Sequence, residues 1–313
     1  MKKVLKELIK IAITVLIFFI LFRRIPFHDV VSTLQGSKPQ YFIIAGVLFF
    51  LYYFFFSSRW KTLLNAIGIK ISEEKAYIYI IISFFFNNIL PSAVGMDAVR
   101  SIYAGGKEKF SGAFASSIME RALGMSAILF IGLFSIFRRI ENGLILFLIY
   151  LGLILLIFIL YLVLTGIKFK WLKNFILKIK FLNLGEEIRK FYRALKEYRD
   201  KRRVIVIGFL LSICVQMMIV FINYMIVKGL NLDISIFHLI TYLPLITIVS
   251  LIPITINGLG LRESAYVLLF NAAGLPGNQS LSLSLMFYFI SVIASISGGI
   301  AFLFLREKRK DRI

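Results

Sequence analysis

The sequence predicts an all-α polytopic membrane protein: about six full transmembrane helices plus two re-entrant hairpins, arranged as an inverted repeat. Three observations carry that prediction. Hydrophobic types make up 59% of the 313 residues and mean hydropathy is +0.88, above what a water-soluble domain carries. The net charge of +21 is gathered in blocks between long apolar runs. Two of the apolar runs stop short of a full crossing, in polar sequence rich in proline and glycine.

Crossing the hydrocarbon takes about 20 apolar residues of helix. The full-length candidates are Val4–Phe22, Tyr41–Phe56 with its neighbours, Gly112–Phe137, Gly143–Gly166, Val204–Val227 and Leu281–Leu305. The first has no small-residue cleavage site and reads as a retained anchor. Orientation follows from lysine and arginine. The amino terminus carries Lys2, Lys3, Lys6 and Lys10 against Glu7. The stretch Lys168–Arg203 holds 13 Lys/Arg against four acids, and the tail from Arg306 to Arg312 holds five against two. All three are expected on the cytoplasmic side of a plasma membrane, as is Ser57–Lys75 with Arg59, Lys61, Lys70 and Lys75.

Parity then constrains the two short runs. Tyr77–Gly106 must start and end inside, and Phe237–Gly274 must start and end outside, so each is expected to dip in and return. The chain reads as one membrane domain over 1–313, with a first repeat at about 41–137, a second of opposite orientation at about 204–305, and a basic loop at 168–203. Many secondary transporters are built this way. The bland alternative is two ordinary buried helices interrupted by loops. Within the loop, Ile188, Phe191, Tyr192, Leu195 and Tyr198 recur at helical spacing among basic residues. They predict an amphipathic helix lying on anionic headgroups, or simply a linker that anchors orientation.

The chemistry concentrates in the two broken segments, Ser83–Arg100 and Val249–Ser264. Each runs from apolar residues through a proline to glycine, an acid and an arginine, and Pro91 to Arg100 has the same separation as Pro253 to Arg262. Proline removes an amide hydrogen and ends the helix. Gly95, Gly258 and Gly260 are expected to turn the chain. Backbone broken at membrane depth survives only where protein or water satisfies it, and two such breaks in matching positions point to a midplane site. Each charge at bilayer centre costs about 2.5–3.5 kcal/mol on insertion scales, so Asp97, Arg100, Arg262 and Glu263 need partners, as do Glu120 and Arg121 inside an otherwise apolar span. The expected binding set is Asn88, Pro91, Gly95, Asp97, Arg100, Glu120, Arg121, Asn257, Gly258, Arg262 and Glu263, with Arg100 and Arg262 converging on one polar chamber. Guanidinium matches phosphate oxygens two at a time, which makes an anionic lipid the expected ligand. The competing reading is that these charges merely pair to hold the bundle together. Gln216 and Asn223, seven apart on one helix face, read as interhelical hydrogen-bonding groups. His28, beside Asp29, reads as ordinary surface.

Other classes find little support. A nucleic-acid binder has no need of the apolar runs. Cys214 alone builds no disulfide framework, and two histidines supply little for a metal. Gly106-Lys107 is followed by Glu108, which is not a phosphate-binding loop. No catalytic residue, metal or cofactor is therefore expected. A lipid-modifying enzyme partner and homo-oligomerisation stay open, as do the two rival functions of a headgroup-modifying membrane enzyme and a lipid-binding accessory protein that moves nothing.

These residues resemble the flippase-like family that includes the transmembrane region of lysylphosphatidylglycerol synthases. The matching positions are Asn88, Pro91, Gly95, Asp97 and Arg100; Glu120, Arg121 and Gly124; and Pro253, Asn257, Gly258, Gly260, Arg262 and Glu263. The family often has GGD where this chain reads Gly95-Met96-Asp97, and an aspartate at Glu120. The resemblance covers nearly the whole chain and implies a lipid-translocating membrane domain. It also implies that the chain, ending soon after its last span, lacks the aminoacyl-transferase domain of the bifunctional synthases.

Overall fold

The computed structural model describes residues 2–89, 93–106, 108–135, 148, 150–152, 197–198, 200–252 and 254–310. Pro91, Pro253, most of the fourth expected span and most of the basic loop lie outside the described residues. Those described form ten helices. They are α1 (Lys2–Arg24), α2 (Phe27–Gln35), α3 (Pro39–Ala66), α4 (Glu73–Ile89), α5 (Ala93–Gly105), α6 (Phe110–Ser135), α7 (Arg202–Gly229), α8 (Ile236–Ser250), α9 (Leu261–Asn271) and α10 (Gly277–Lys310). The protein is all-helical over these residues and polytopic. Four segments, Pro39–Ala66, Phe110–Leu133, Arg202–Gly229 and Gly277–Leu305, are long and apolar enough to cross a membrane. Helix α1 coincides with the first expected span, but lysines and Glu7 at one end and Arg23 and Arg24 at the other keep it out of that set.

Local chemistry sets the boundaries. Pro39 opens α3, where its fixed φ suits a first turn. Ser235 caps α8 by accepting from the Phe237 amide. Gly68, at φ 81°, turns the chain out of α3. The two short runs are helix pairs, α4/α5 and α8/α9, of 17, 13, 15 and 11 residues, each below the length of a full crossing.

The core lies where α3 packs along α7, in an apolar and aromatic cluster that includes Phe49, Tyr53, Trp60, Ile222 and Ile226. Around this axis the helices exchange partners: α4 packs on α10, and α8 packs on α6. The α4–α10 approach is close. A Cβ at Gly298 would sit 2.0 Å from the Ile81 carbonyl oxygen. Small residues at such crossings let backbones touch where lipid supplies no hydrophobic drive. Large apolar side chains such as Ile43, Val47, Leu210, Leu268 and Phe304 point outward, more than half exposed, as hydrocarbon-facing residues do.

The basic loop returns against α3. The buried Tyr198 hydroxyl donates to the Leu63 carbonyl at 2.9 Å, and Lys201 Nζ donates to the Ala66 carbonyl, placing a cation at the negative end of α3.

Two expectations change. Arg59 is not part of a cytoplasmic loop: α3 runs on for ten residues past Phe56, so Arg59 sits in the helix, 3% exposed. Gly95 does not turn the chain. It is helical, inside α5, so the break between α4 and α5 precedes it. At the second break Gly258 and Gly260 turn the chain as expected, at φ 74° and 84°, and Asn257 joins them at 49°.

Candidate functional site

The first hairpin brings four expected residues into one chain of ion pairs. Asp97 and Arg100 stand one turn apart on α5, and Glu120 and Arg121 are neighbours midway along α6. Arg100 Nη2 donates to Asp97 Oδ1 at 2.7 Å, and Arg100 Nη1 lies 2.5 Å from Glu120 Oε2. Arg121 grips the other Asp97 oxygen with Nε at 2.8 Å and Nη2 at 2.6 Å.

A fifth member comes from α3. Arg59 donates to Glu120 Oε1 from Nε at 3.0 Å, with Nη2 at 2.9 Å, and from Nη1 to Ser212 Oγ of α7 at 3.0 Å. The order is Arg59, Glu120, Arg100, Asp97, Arg121, alternating in sign and drawn from three helices. Aromatic faces close one side: Arg59 lies 4.6 Å from the Phe56 ring centroid and Arg100 lies 5.0 Å from that of Trp60. The Trp60 indole N–H donates to Ser116 Oγ at 3.0 Å, which fixes that face. The sequence hid Arg59 because its charge was read as the start of a basic loop. The signal was present in Trp60, Leu63 and Leu64, which continue the apolar spacing past the arginine.

Two features distinguish this cluster. First, among the described residues it sets three guanidiniums against two carboxylates. Second, its satisfaction is incomplete: Arg100 is 1% exposed, yet its Nε has no hydrogen-bond partner among the described residues, and neither has the buried Ser101 hydroxyl beside it. At the far end of the chain the Arg121 side chain is 40% exposed, so the buried charges communicate with a surface.

The second hairpin makes a smaller cluster with no net charge. Glu263, fully buried in the first turn of α9, accepts from the Gly260 amide at 2.6 Å, from Arg262 Nε at 3.0 Å and from Ser284 Oγ of α10 at 3.4 Å. Arg262 also lies over the Tyr288 ring at 4.7 Å. Gly258 must be glycine, since a Cβ there would stand 2.7 Å from the Ser250 carbonyl oxygen at a positive φ.

The expected single chamber is thus replaced by two clusters with no residue in common. They adjoin through the hairpin tips. Asn257 Nδ2 donates to the Asn87 carbonyl at 2.5 Å, and Asn88 Nδ2 donates to Ser295 Oγ of α10 at 2.8 Å. Thr14 of α1 accepts from the Ile256 amide, tying the amino-terminal helix to the second break. Asn223 acts as an interhelical group, its Oδ1 accepting from Tyr266 at 2.8 Å. His28 is surface, its side chain 91% exposed.

The family profile described as the lysylphosphatidylglycerol synthase transmembrane region matches residues 8–298. The chain belongs to this family. It is also similar to the UPF0104 membrane protein MJ1595 of Methanocaldococcus jannaschii, 26% identical over 333 residues and aligned across 99% of both chains. Two UPF0104 membrane proteins of Methanothermobacter thermautotrophicus are similar at 26% and 23% identity, over 91% and 87% of this chain and 88% and 87% of theirs. No solved structure matches. Both charged clusters fall inside the matched span, so they belong to the synthase transmembrane-region fold as this chain builds it.

Proposed function

We propose that this protein moves an anionic phospholipid or polyprenyl-phosphate-type lipid between leaflets of the plasma membrane, with both termini in the cytoplasm. One observation carries the reading: a buried chain of alternating charges that reaches from Arg100, whose Nε has no hydrogen-bond partner among the described residues, to Arg121, whose side chain is 40% exposed. Buried ionisable groups in a membrane are expensive and are kept for substrate paths by default. A phosphate arriving at Arg121 would compete with Asp97 for a bidentate guanidinium and then offer oxygens to Arg100, while its acyl chains stay in lipid.

The partner exchange of α4 with α10 and α8 with α6 supports an inverted repeat, with α3–α6 matching α7–α10 across the α3/α7 axis. In transporters of that design the halves rock against each other around a fixed site. Membership of a family named for the membrane region of a lipid-modifying synthase supports a lipid substrate. The rival enzymatic reading needs a carboxylate poised near a reacting group. Asp97, Glu120 and Glu263 are instead each held by guanidinium, which favours carriage over chemistry.

The test is dithionite quenching of fluorescent phosphatidylglycerol in proteoliposomes. Wild-type protein is expected to equilibrate the leaflets, and Arg121→Ala to lose most of that rate. Undiminished exchange in Arg121→Ala and Arg100→Ala, both verified as folded, refutes the reading. A chemically altered headgroup recovered from the vesicles would establish the enzyme instead.

A further inference from the structure

The base of the first hairpin, opposite its broken tip, holds a cavity of about 700 Å³ lined by Asn65, Lys70, Ser72, Lys75, Tyr79 and Tyr103. Its walls are built, not incidental. Gly68 turns the chain out of α3 at positive φ, and Asn65 Oδ1 accepts from the Ile71 amide, which fixes the loop carrying Lys70. Ser72 accepts from the Lys75 amide and so caps α4. Tyr79 of α4 and Tyr103 of α5 stack with centroids 5.2 Å apart and planes 28° apart, forming a floor between the two limbs.

The charge of the cavity is one-sided. Lys70 and Lys75 are both exposed, and no carboxylate among the described residues lines it. The nearest acid in sequence, Glu73, is turned toward α3, where it accepts from Ser57 and Ser58 and pairs with Lys61 at 3.1 Å. Glu74 is exposed and is not part of the lining. Two ammoniums, a hydroxyl, a carboxamide and paired phenols suit a phosphate that carries hydroxylated substituents, and aromatic residues at a hairpin base suit headgroup depth.

We propose that this cavity is a second, interfacial anion site that takes a phosphate group. Tyr103 follows Arg100 by one turn of α5, about 4.5 Å along the axis at 1.5 Å per residue. The proposal concerns binding at Lys70 and Lys75 and stands whether or not the protein moves lipid.

Amine-reactive footprinting of the full chain in nanodiscs, read by mass spectrometry, tests it. In zwitterionic nanodiscs titrated with inorganic phosphate, Lys70 and Lys75 are expected to become protected while exposed Lys109 and Lys228 do not. Replacing part of the lipid with phosphatidylglycerol identifies the source. Protection appearing only there assigns the site to a lipid headgroup, whereas protection by phosphate in either nanodisc assigns it to the free anion. Lys70→Gln should raise the midpoint read at Lys75 roughly tenfold, the low end for a lost hydrogen bond to a charged group. Equal labelling of Lys70 and Lys75 in every condition overturns the proposal, as does protection shared equally by Lys109 or a midpoint unmoved in Lys70→Gln.

Discussion

Replacing Arg59 with methionine should expose how the buried charges depend on one another. The substitution keeps an unbranched side chain against Phe56 but removes both contacts to Glu120 Oε1, at 2.9 and 3.0 Å, and the hydrogen bond to Ser212. Glu120, 1% exposed, is left with Arg100 alone on its other oxygen. At an effective dielectric of about 20, two unit charges 3 Å apart interact by about 5.5 kcal/mol. Breaking one partner of a buried pair costs about 3–5 kcal/mol where the survivor is left unpaired; Glu120 keeps Arg100, so the loss is expected at the low end, about 3 kcal/mol. No discount for solvent applies, since both side chains are almost wholly enclosed. At the about 2–4 °C per kcal/mol of domains of 150–250 residues, the melting midpoint should fall by roughly 6–12 °C. Thermal unfolding of the purified protein in one detergent, with Glu120→Gln and the double variant alongside, measures it. In the Glu120→Gln background, where the carboxylate is replaced by a neutral amide, the same substitution should cost less, with a coupling of about 2 kcal/mol or more, within the range for residues in one network. A shift below about 2 °C, the low end for a loss of 1 kcal/mol, or single effects that simply add, would refute the view that Arg59 and Glu120 act as a pair.

Other perturbations follow from contacts elsewhere. Gly298→Ala forces a Cβ onto the Ile81 carbonyl and should cost about 1–3 kcal/mol by overpacking, read as a lower melting midpoint. Gly36→Ala, with nothing within 4 Å of its Cβ, is the control and should change little. Tyr266→Phe leaves Asn223 Oδ1 without its donor and should cost about 1 kcal/mol, in line with interhelical hydrogen bonds in membranes. Burial pushes the Tyr198 phenol up from its ordinary value. Because the raised pKa is the folded one, its contribution is complete below about pH 10, where the free phenol titrates, and is lost as pH rises beyond. Protease cleavage at the end of the basic loop should therefore increase above about pH 10 in the wild type, and Tyr198→Phe should abolish that dependence.

Much of this was legible in the sequence because hydropathy and charge act locally. Continuous apolar runs located α3, α6, α7 and α10, and the stops at proline and glycine located both helix pairs. Gly258 and Gly260 could be recognised in advance because glycine is the residue that turns a chain at positive φ, whereas Asn257 at φ 49° was not read that way. What stayed hidden depends on which helix faces which. Arg59 lies 61 residues from Glu120 and Ser212 a further 92 along, so their meeting is decided by the α3–α7 packing and leaves no trace in local spacing. The same holds for the different partners of Arg100 and Arg262. Equal spacing from the two prolines made them look equivalent, but the helix that each faces differs.

That difference leaves the two halves with unlike clusters. Glu120 of α6 pairs with Arg100 in the first, whereas Ser284 of α10 donates to Glu263 in the second. The second cluster is complete with one arginine and one glutamate, and it closes on the backbone amide of Gly260. The first draws in Arg59 from α3, so that among the described residues three guanidiniums meet two carboxylates. A carboxylate satisfied by a backbone amide, a hydroxyl and its neighbouring arginine needs no cation from another helix, which is why the second cluster stays local while the first spans α3, α5 and α6; Asn257 joins the second break to the tip it faces.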